Sequence, residues 1–97
     1  MTTTLAESRK AAFLAALTDA QILDALRHLA ELPKLDEHER MTSAWLSDEV
    51  ERRHPELDAA MQRHFEDVDA RLVAGEDVPD ERYAATLIRH AAACGIA

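Results

Sequence analysis

Residues 36–75 have the sequence DEHERMTSAWLSDEVERRHPELDAAMQRHFEDVDARLVAG, which predicts two long helices. Asp36 and Glu39 form a capping-box pattern, in which a short oxygen-bearing side chain and a carboxylate three residues later satisfy free amides at a helix start. Pro55 lacks an amide hydrogen, so it interrupts the first helix and suits the first turn of a second. Gly75 stands where a helix end favours a left-handed residue. The stretch therefore predicts a long central antiparallel helix pair broken at Pro55.

Apolar residues recur at helical spacing in both helices. In the second helix they form one continuous stripe, which predicts a single apolar face made by Leu57, Met61, Phe65, Val68 and Leu72. In the first helix they fall on two sides, one with Met41, Ala44 and Trp45 and the other with Leu46 and Val50. A helix that is apolar on two sides is sandwiched between neighbours. Two alternatives stand: it is the central helix of a monomer, or Leu46 and Val50 form the seam of a homodimer.

Three further helices are predicted outside this pair. The first runs from about Thr4 to Leu17, and the second begins at a capping box formed by Thr18 and Gln21. The last follows an acidic segment at residues 76–81 and ends at a second glycine. Since no period-two alternation predicts a strand, we expect an all-α fold. The expected architecture is a compact bundle of about five helices in one domain, residues 1–97.

Composition restricts the class of protein further. Apolar residues make up 47% of the 97-residue chain but aromatic residues only 4%, which predicts a core of small aliphatic side chains and favours a homodimer that buries more surface. The single cysteine, Cys94, excludes an intramolecular disulfide. No basic leader with an apolar run opens the chain, and no stretch has the length of a membrane span. We therefore expect a cytoplasmic protein that has no membrane contact.

Negative charge is concentrated in the middle of the chain. The net charge is −8, and residues 36–81 contain 15 acidic and five basic side chains, a net −10. Such a surface repels phosphate backbones, which excludes direct binding of nucleic acid. Two interpretations stand: a solvated surface that keeps the protein soluble, or a surface for a protein partner, most simply one with a basic surface. The candidate partner-binding residues are Asp48, Glu49, Glu51, Glu66, Asp67 and Asp69.

No sequence motif assigns a catalytic residue or a resident cofactor. The five histidines never form HExxH, no cysteine pair supports a zinc site, and two glycines are too few for a phosphate-binding loop. The favoured function is accordingly a non-enzymatic interaction module, a small acidic regulator or inhibitor. By analogy alone, inhibitors of the kind that mobile elements carry share this physical profile.

One acidic pattern supports an alternative enzymatic function. Asp48 and Glu51 are three residues apart, and so are Glu66 and Asp69, so each pair lies on one face of its helix. This pattern resembles the ExxE…ExxD signature of the all-α nucleotide pyrophosphohydrolases, with Asp48 in place of the first glutamate. The resemblance implies that these four carboxylates hold a Mg²⁺ or Mn²⁺ ion, which suits oxygen ligands and activates water against a nucleoside triphosphate.

Overall fold

The computed structural model describes the backbone of residues 5–96 and the side chains of residues 9–96. Within this range the chain forms no strand and five helices, namely α1 (Leu5–Ala15), α2 (Asp19–Glu31), α3 (Glu37–Arg53), α4 (Pro55–Val73) and α5 (Tyr83–Ala93). The predicted all-α bundle is confirmed. Thr4 and the side chain of Leu5, both assigned to the first helix, lie outside the described residues. None of the five helices combines the length and the apolar character needed to cross a bilayer.

Both predicted capping boxes are present. At the start of α2, the Gln21 amide donates to Thr18 Oγ1 at 3.1 Å, and the Thr18 amide donates to the Gln21 side chain at 2.9 Å. At the start of α3, the Glu39 amide donates to Asp36 Oδ1 at 2.7 Å, and the reciprocal bond measures 2.9 Å. These bonds satisfy amides that a helix start leaves free, which explains why both helices begin at the predicted residues.

The glycines end their helices as predicted. Gly75 and Gly95 have φ values of +83° and +77°, a region that side chains with a Cβ rarely occupy. After α4, the Glu76 amide donates to the Arg71 carbonyl at 2.9 Å, and the Gly75 amide donates to the Leu72 carbonyl at 3.0 Å. This pair of bonds is the Schellman motif, which satisfies the last carbonyls of α4 and ends the helix.

The core lies where α2, α3, α4 and α5 meet. The most extensive contacts between helices join α2 to α5 and α2 to α3 rather than α3 to α4. The buried cluster consists of Leu14, Ile22, Leu23, Leu26, Leu46, Val50, Leu57, Met61, Ala84, Leu87 and Ala91. Aliphatic side chains and one methionine make up this cluster, as the low aromatic content predicted.

The two apolar sides of α3 differ in burial. Leu46 and Val50 are buried inside the single chain, because α2, α4 and α5 all contact α3. Met41 and Ala44 on the other side are exposed, and Trp45 is half-buried. α3 is therefore sandwiched within the monomer, which is the first of the two alternatives. Leu46 and Val50 are not accessible to a second copy.

The predicted stripe of α4 is buried over only half of its length. Leu57 and Met61 are buried, whereas Phe65 and Leu72 are 38% and 52% exposed and Val68 is half-buried. α4 has 19 residues and its neighbour α5 has 11. Periodicity determines which residues share a face, but the neighbouring elements determine how much of that face is buried.

Arg53, at the end of α3, joins the ends of three helices. Its guanidinium donates to the carbonyls of Leu14 and Leu17, each at 2.8 Å. It also donates to the carboxylates of Asp19 at 3.1 Å and Glu49 at 2.7 Å. One cation thus binds a carbonyl in the last turn of α1, a carbonyl just after α1 and the carboxylate in the first turn of α2, which positions α1 and α2 against the α3–α4 junction.

Candidate acidic partner-binding surface

Two of the six predicted partner-binding carboxylates are already paired with arginines. Glu49 is buried and accepts bonds from Arg52 at 2.6 Å and Arg53 at 2.7 Å. These bonds, that from Arg52 first, hold the pKa of Glu49 below its usual value against the effect of burial. Asp67 pairs with Arg71 on the same exposed helix surface at 3.1 Å. Glu49 is thus part of the framework, and Asp67 is neutralised by a neighbour one turn away.

The other four predicted carboxylates line two adjoining cavities. Asp48 and Glu51 line a cavity of about 330 Å³, and Glu66 and Asp69 line one of about 380 Å³. Asp58, from the first turn of α4, lines both. We refer to these two cavities as the acidic groove. Among the described residues, none of its five carboxylates forms a salt bridge.

Glu51 lies near the carboxylates of Asp48 and Asp58 and is bonded by Tyr83. The half-buried Glu51 carboxylate accepts a hydrogen bond from the Tyr83 hydroxyl. Burial raises the pKa of Glu51, the Tyr83 bond opposes that change, and the nearby carboxylates of Asp58 and Asp48 raise the pKa further. Burial, followed by the bond to Glu51, also raises the pKa of Tyr83, so the hydroxyl keeps its proton. The groove therefore concentrates negative charge that an incoming cation would stabilise.

Two aromatic rings lie beside these carboxylates. Phe65 and Tyr83 stack with ring centroids 5.6 Å apart and an interplanar angle of 12°. Both rings line the 380 Å³ cavity, and they remain 38% and 42% exposed. Aromatic faces attract lysine and arginine, and the attraction is stronger where water is partly excluded. The groove therefore offers a cationic side chain both carboxylates and rings.

Sequence reasoning missed Asp58, Phe65 and Tyr83 as parts of this surface. Asp58 was predictable from the sequence. Glu51 lies four positions before Pro55 and Asp58 lies three positions after it, so a chain that turns at the proline brings the two residues close together. Tyr83 was not predictable. Its partner is 32 residues away, and no local pattern reports a contact over that separation.

The same geometry separates the four carboxylates of the pyrophosphohydrolase signature. Asp48 and Glu51 lie seven and four residues before Pro55, whereas Glu66 and Asp69 lie 11 and 14 residues after it. The two pairs consequently line different cavities. Within the described part of the chain, no group of three or more His, Cys, Asp or Glu side chains is arranged so that it could hold a metal ion. Comparison with protein-family models, curated proteins and solved structures finds no match. The signature remains a resemblance of four residues.

Proposed function

We propose that this protein is a non-catalytic interaction module that binds a protein partner with a basic surface through the acidic groove. The observation that supports the proposal most directly is a set of five carboxylates without salt-bridge partners beside the partly exposed rings of Phe65 and Tyr83. Lysine or arginine side chains of a partner would relieve the repulsion among these carboxylates. Such charge complementarity accelerates association and excludes partners of the wrong charge.

The chemistry of the groove favours a protein partner over a phosphate-bearing ligand. Residues 36–81 have a net charge of −10, which repels nucleic acids and nucleotides unless a cation intervenes. A module of this kind acts by covering a basic surface of its partner, as a small regulator or inhibitor does. The cytoplasm is the location that we predict for this interaction.

The homodimer is a separate prediction. Because Leu46 and Val50 are buried in the monomer, a dimer has to use another surface. Light scattering after size exclusion distinguishes the 10.8 kDa chain from a species of twice that mass. A monomeric mass at the highest soluble concentration would overturn the dimer without affecting the proposed partner binding.

An oligolysine peptide labelled with fluorescein tests the groove. We expect the double variant Asp48→Asn with Glu66→Gln, which neutralises one exposed carboxylate in each cavity, to weaken binding at low salt. The expected loss is roughly threefold to tenfold, because an exposed ion pair contributes about 0.2–1 kcal/mol. Binding should also weaken as salt is added, since exposed charges are screened.

The matched control for this experiment is Glu31→Gln with Glu37→Gln. Both residues are exposed and lie outside the groove, neither forms a salt bridge among the described residues, and the control changes the net charge by the same amount. An equal loss of affinity in both double variants would contradict the proposal, because it would show attraction to the overall charge rather than to the acidic groove.

A further inference from the structure

The second half of α4 leaves an apolar surface open. Phe65, Val68 and Leu72 share one face of the helix and, together with Val78 and Pro79 of the following segment, line a cavity of about 470 Å³. We refer to this cavity as the apolar groove. An apolar cavity rimmed by polar residues is typical of a binding site, because covering its walls removes apolar surface from water.

The apolar groove continues into the acidic groove. Phe65 lines both, so one helix carries an apolar strip with carboxylates beside it. Glu66 and Asp69 lie on the acidic side of the strip. On the far side, the Arg89 guanidinium and the Glu81 carboxylate form a salt bridge with an N–O distance of 2.6 Å. A partner that covers the strip therefore meets negative charge from Glu66 and Asp69 along one edge, and also from Asp80, which lines the cavity and forms no salt bridge among the described residues.

Charge distinguishes between two possible occupants. Residues 64–81 contain seven acidic side chains and one basic side chain, a net −6. The one basic residue, Arg71, is already paired with Asp67. A second copy of this chain would bring the same −6 segment against itself, and like charges repel. A partner with basic residues beside an apolar face is complementary in both respects.

The shape of the surface indicates the conformation of the partner. The strip follows helix α4 with apolar side chains three and four residues apart, a spacing into which the side-chain ridges of a second helix fit. A helix bonds its own backbone groups, whereas a segment that binds as a β-strand needs a strand edge to bond with. Among the described residues there is no strand to supply such an edge.

We infer that the apolar groove binds the apolar face of an amphipathic helix whose lysine or arginine residues lie against the carboxylates of the acidic groove. This inference rests on the proposed function and specifies the partner: a cationic amphipathic helix. Helices of this class carry apolar side chains at positions i, i+3 or i+4, and i+7, with basic residues on both flanks.

Two labelled peptides of leucine and lysine test the inference. One has the residues in helical amphipathic order and the other has the same composition in strict alternation, so their charges are equal. We expect the helical-order peptide to bind about tenfold more tightly by fluorescence anisotropy, because only its leucines can cover the apolar groove together. Equal affinities would overturn the inference.

A pair of adjacent substitutions localises the binding. Leu72→Gln removes a leucine that lines the apolar groove, whereas Val73→Gln changes a neighbour that is 88% exposed and lies outside it. We expect Leu72→Gln to abolish most of the tenfold preference and Val73→Gln to preserve it. Equal effects of the two substitutions would overturn the inference. Circular dichroism melts of both variants verify that the fold is retained.

Three outcomes separate this inference from the proposed function. If oligolysine binds in the acidic groove but the two leucine–lysine peptides bind equally, the docking of a helix is overturned and the proposed function stands. If no cationic probe binds, both are overturned. A species of twice 10.8 kDa that Leu72→Gln converts to monomer would show that a second copy occupies the groove, which overturns the inferred partner.

Discussion

The two halves of α4 share one apolar periodicity but differ in burial. Leu57 and Met61 in the first half are buried, whereas Phe65 and Leu72 in the second half are 38% and 52% exposed. The difference lies in what surrounds each half, since the sequence pattern is continuous across both. The first half thus contributes to stability, and the second half leaves apolar surface exposed to solvent.

The first half is also held by polar contacts at its start. Arg53 binds carbonyls in and just after the last turn of α1, and His54 Nε2 lies 2.7 Å from the Asp19 carboxylate at the start of α2. The second half instead ends in the local Schellman motif at Gly75. Four predictions follow from this contrast, in order of decreasing effect on stability.

Leu57→Ala should reduce the free energy of unfolding by about 3 kcal/mol, because it creates a cavity at a fully buried position. Leu72→Ala, at the equivalent apolar position of the second half, should reduce it by less than about 0.5 kcal/mol, since the side chain is half exposed. Urea unfolding followed by circular dichroism measures both values. Similar losses would show that the second half is covered in solution.

Arg53→Met should reduce the free energy of unfolding by about 2 kcal/mol, because it leaves the carbonyls of Leu14 and Leu17 without their donor. Arg52→Met is the matched control. Arg52 also bonds Glu49 but is largely exposed, and among the described residues it forms no hydrogen bond to another helix. We expect a smaller shift in melting temperature for the control. Equal shifts would mean that the bonds to α1 do not stabilise the junction.

Gly75→Ala should reduce the free energy of unfolding by about 1 kcal/mol, because alanine is strained at a φ of +83°. The second half of α4 makes few buried contacts, so we expect the strain to be relieved by fraying of its last turn. Hydrogen exchange should therefore accelerate at the amides of Gly75 and Glu76 while the buried first half keeps its protection. Faster exchange along the whole of α4 would contradict the division into two halves.

Stability should fall as pH rises above neutrality because of His54. The hydrogen bond to Asp19 raises the pKa of His54 above its ordinary 6.5, so its contribution is complete below pH 6.5 and is lost as pH rises through the raised value. The same bond lowers the pKa of Asp19 below 3.8. The contribution of Asp19 to stability is therefore present above pH 3.8 and is lost as pH falls through the lowered value. The pair therefore stabilises most strongly between these two ordinary values.

His54→Asn should remove the decrease in stability at high pH, an effect of under about 1 kcal/mol because the pair is partly exposed to solvent. Urea unfolding at pH 5.5 and pH 8.5 measures it. His28→Asn, at an exposed position of α2, is the control and should keep the pH dependence of the wild-type protein. An unchanged pH dependence in the His54 variant would contradict the role of the pair.

Helix boundaries were largely predictable, because the chemistry that sets them is local. Asp36 with Glu39 and Thr18 with Gln21 lie three residues apart, so the whole cap is contained in a short segment. The glycine ends and the break at Pro55 are equally local. Packing was less predictable: the sequence pattern left Leu46 and Val50 either in the core of a monomer or at a dimer seam, and both are buried in the core.

The candidate site was predictable only in its charge. The surplus of acids in residues 36–81 is a property of the sequence, and four of the six predicted carboxylates do line the acidic groove. The pairs that neutralise Glu49 and Asp67 are local, because their arginines lie three or four residues later on the same helix. The bond between Glu51 and Tyr83 is not local, because these residues are 32 positions apart.

The sequence by itself determined the helices, their ends and the total charge, because capping, backbone restriction and ionisation act within one or two turns of the chain. Only the tertiary structure decided which apolar faces are covered, that Glu51 bonds Tyr83, and that Phe65 connects an acidic groove to an apolar one. These properties depend on distances between residues that are far apart in sequence. Such distances follow from how the helices pack.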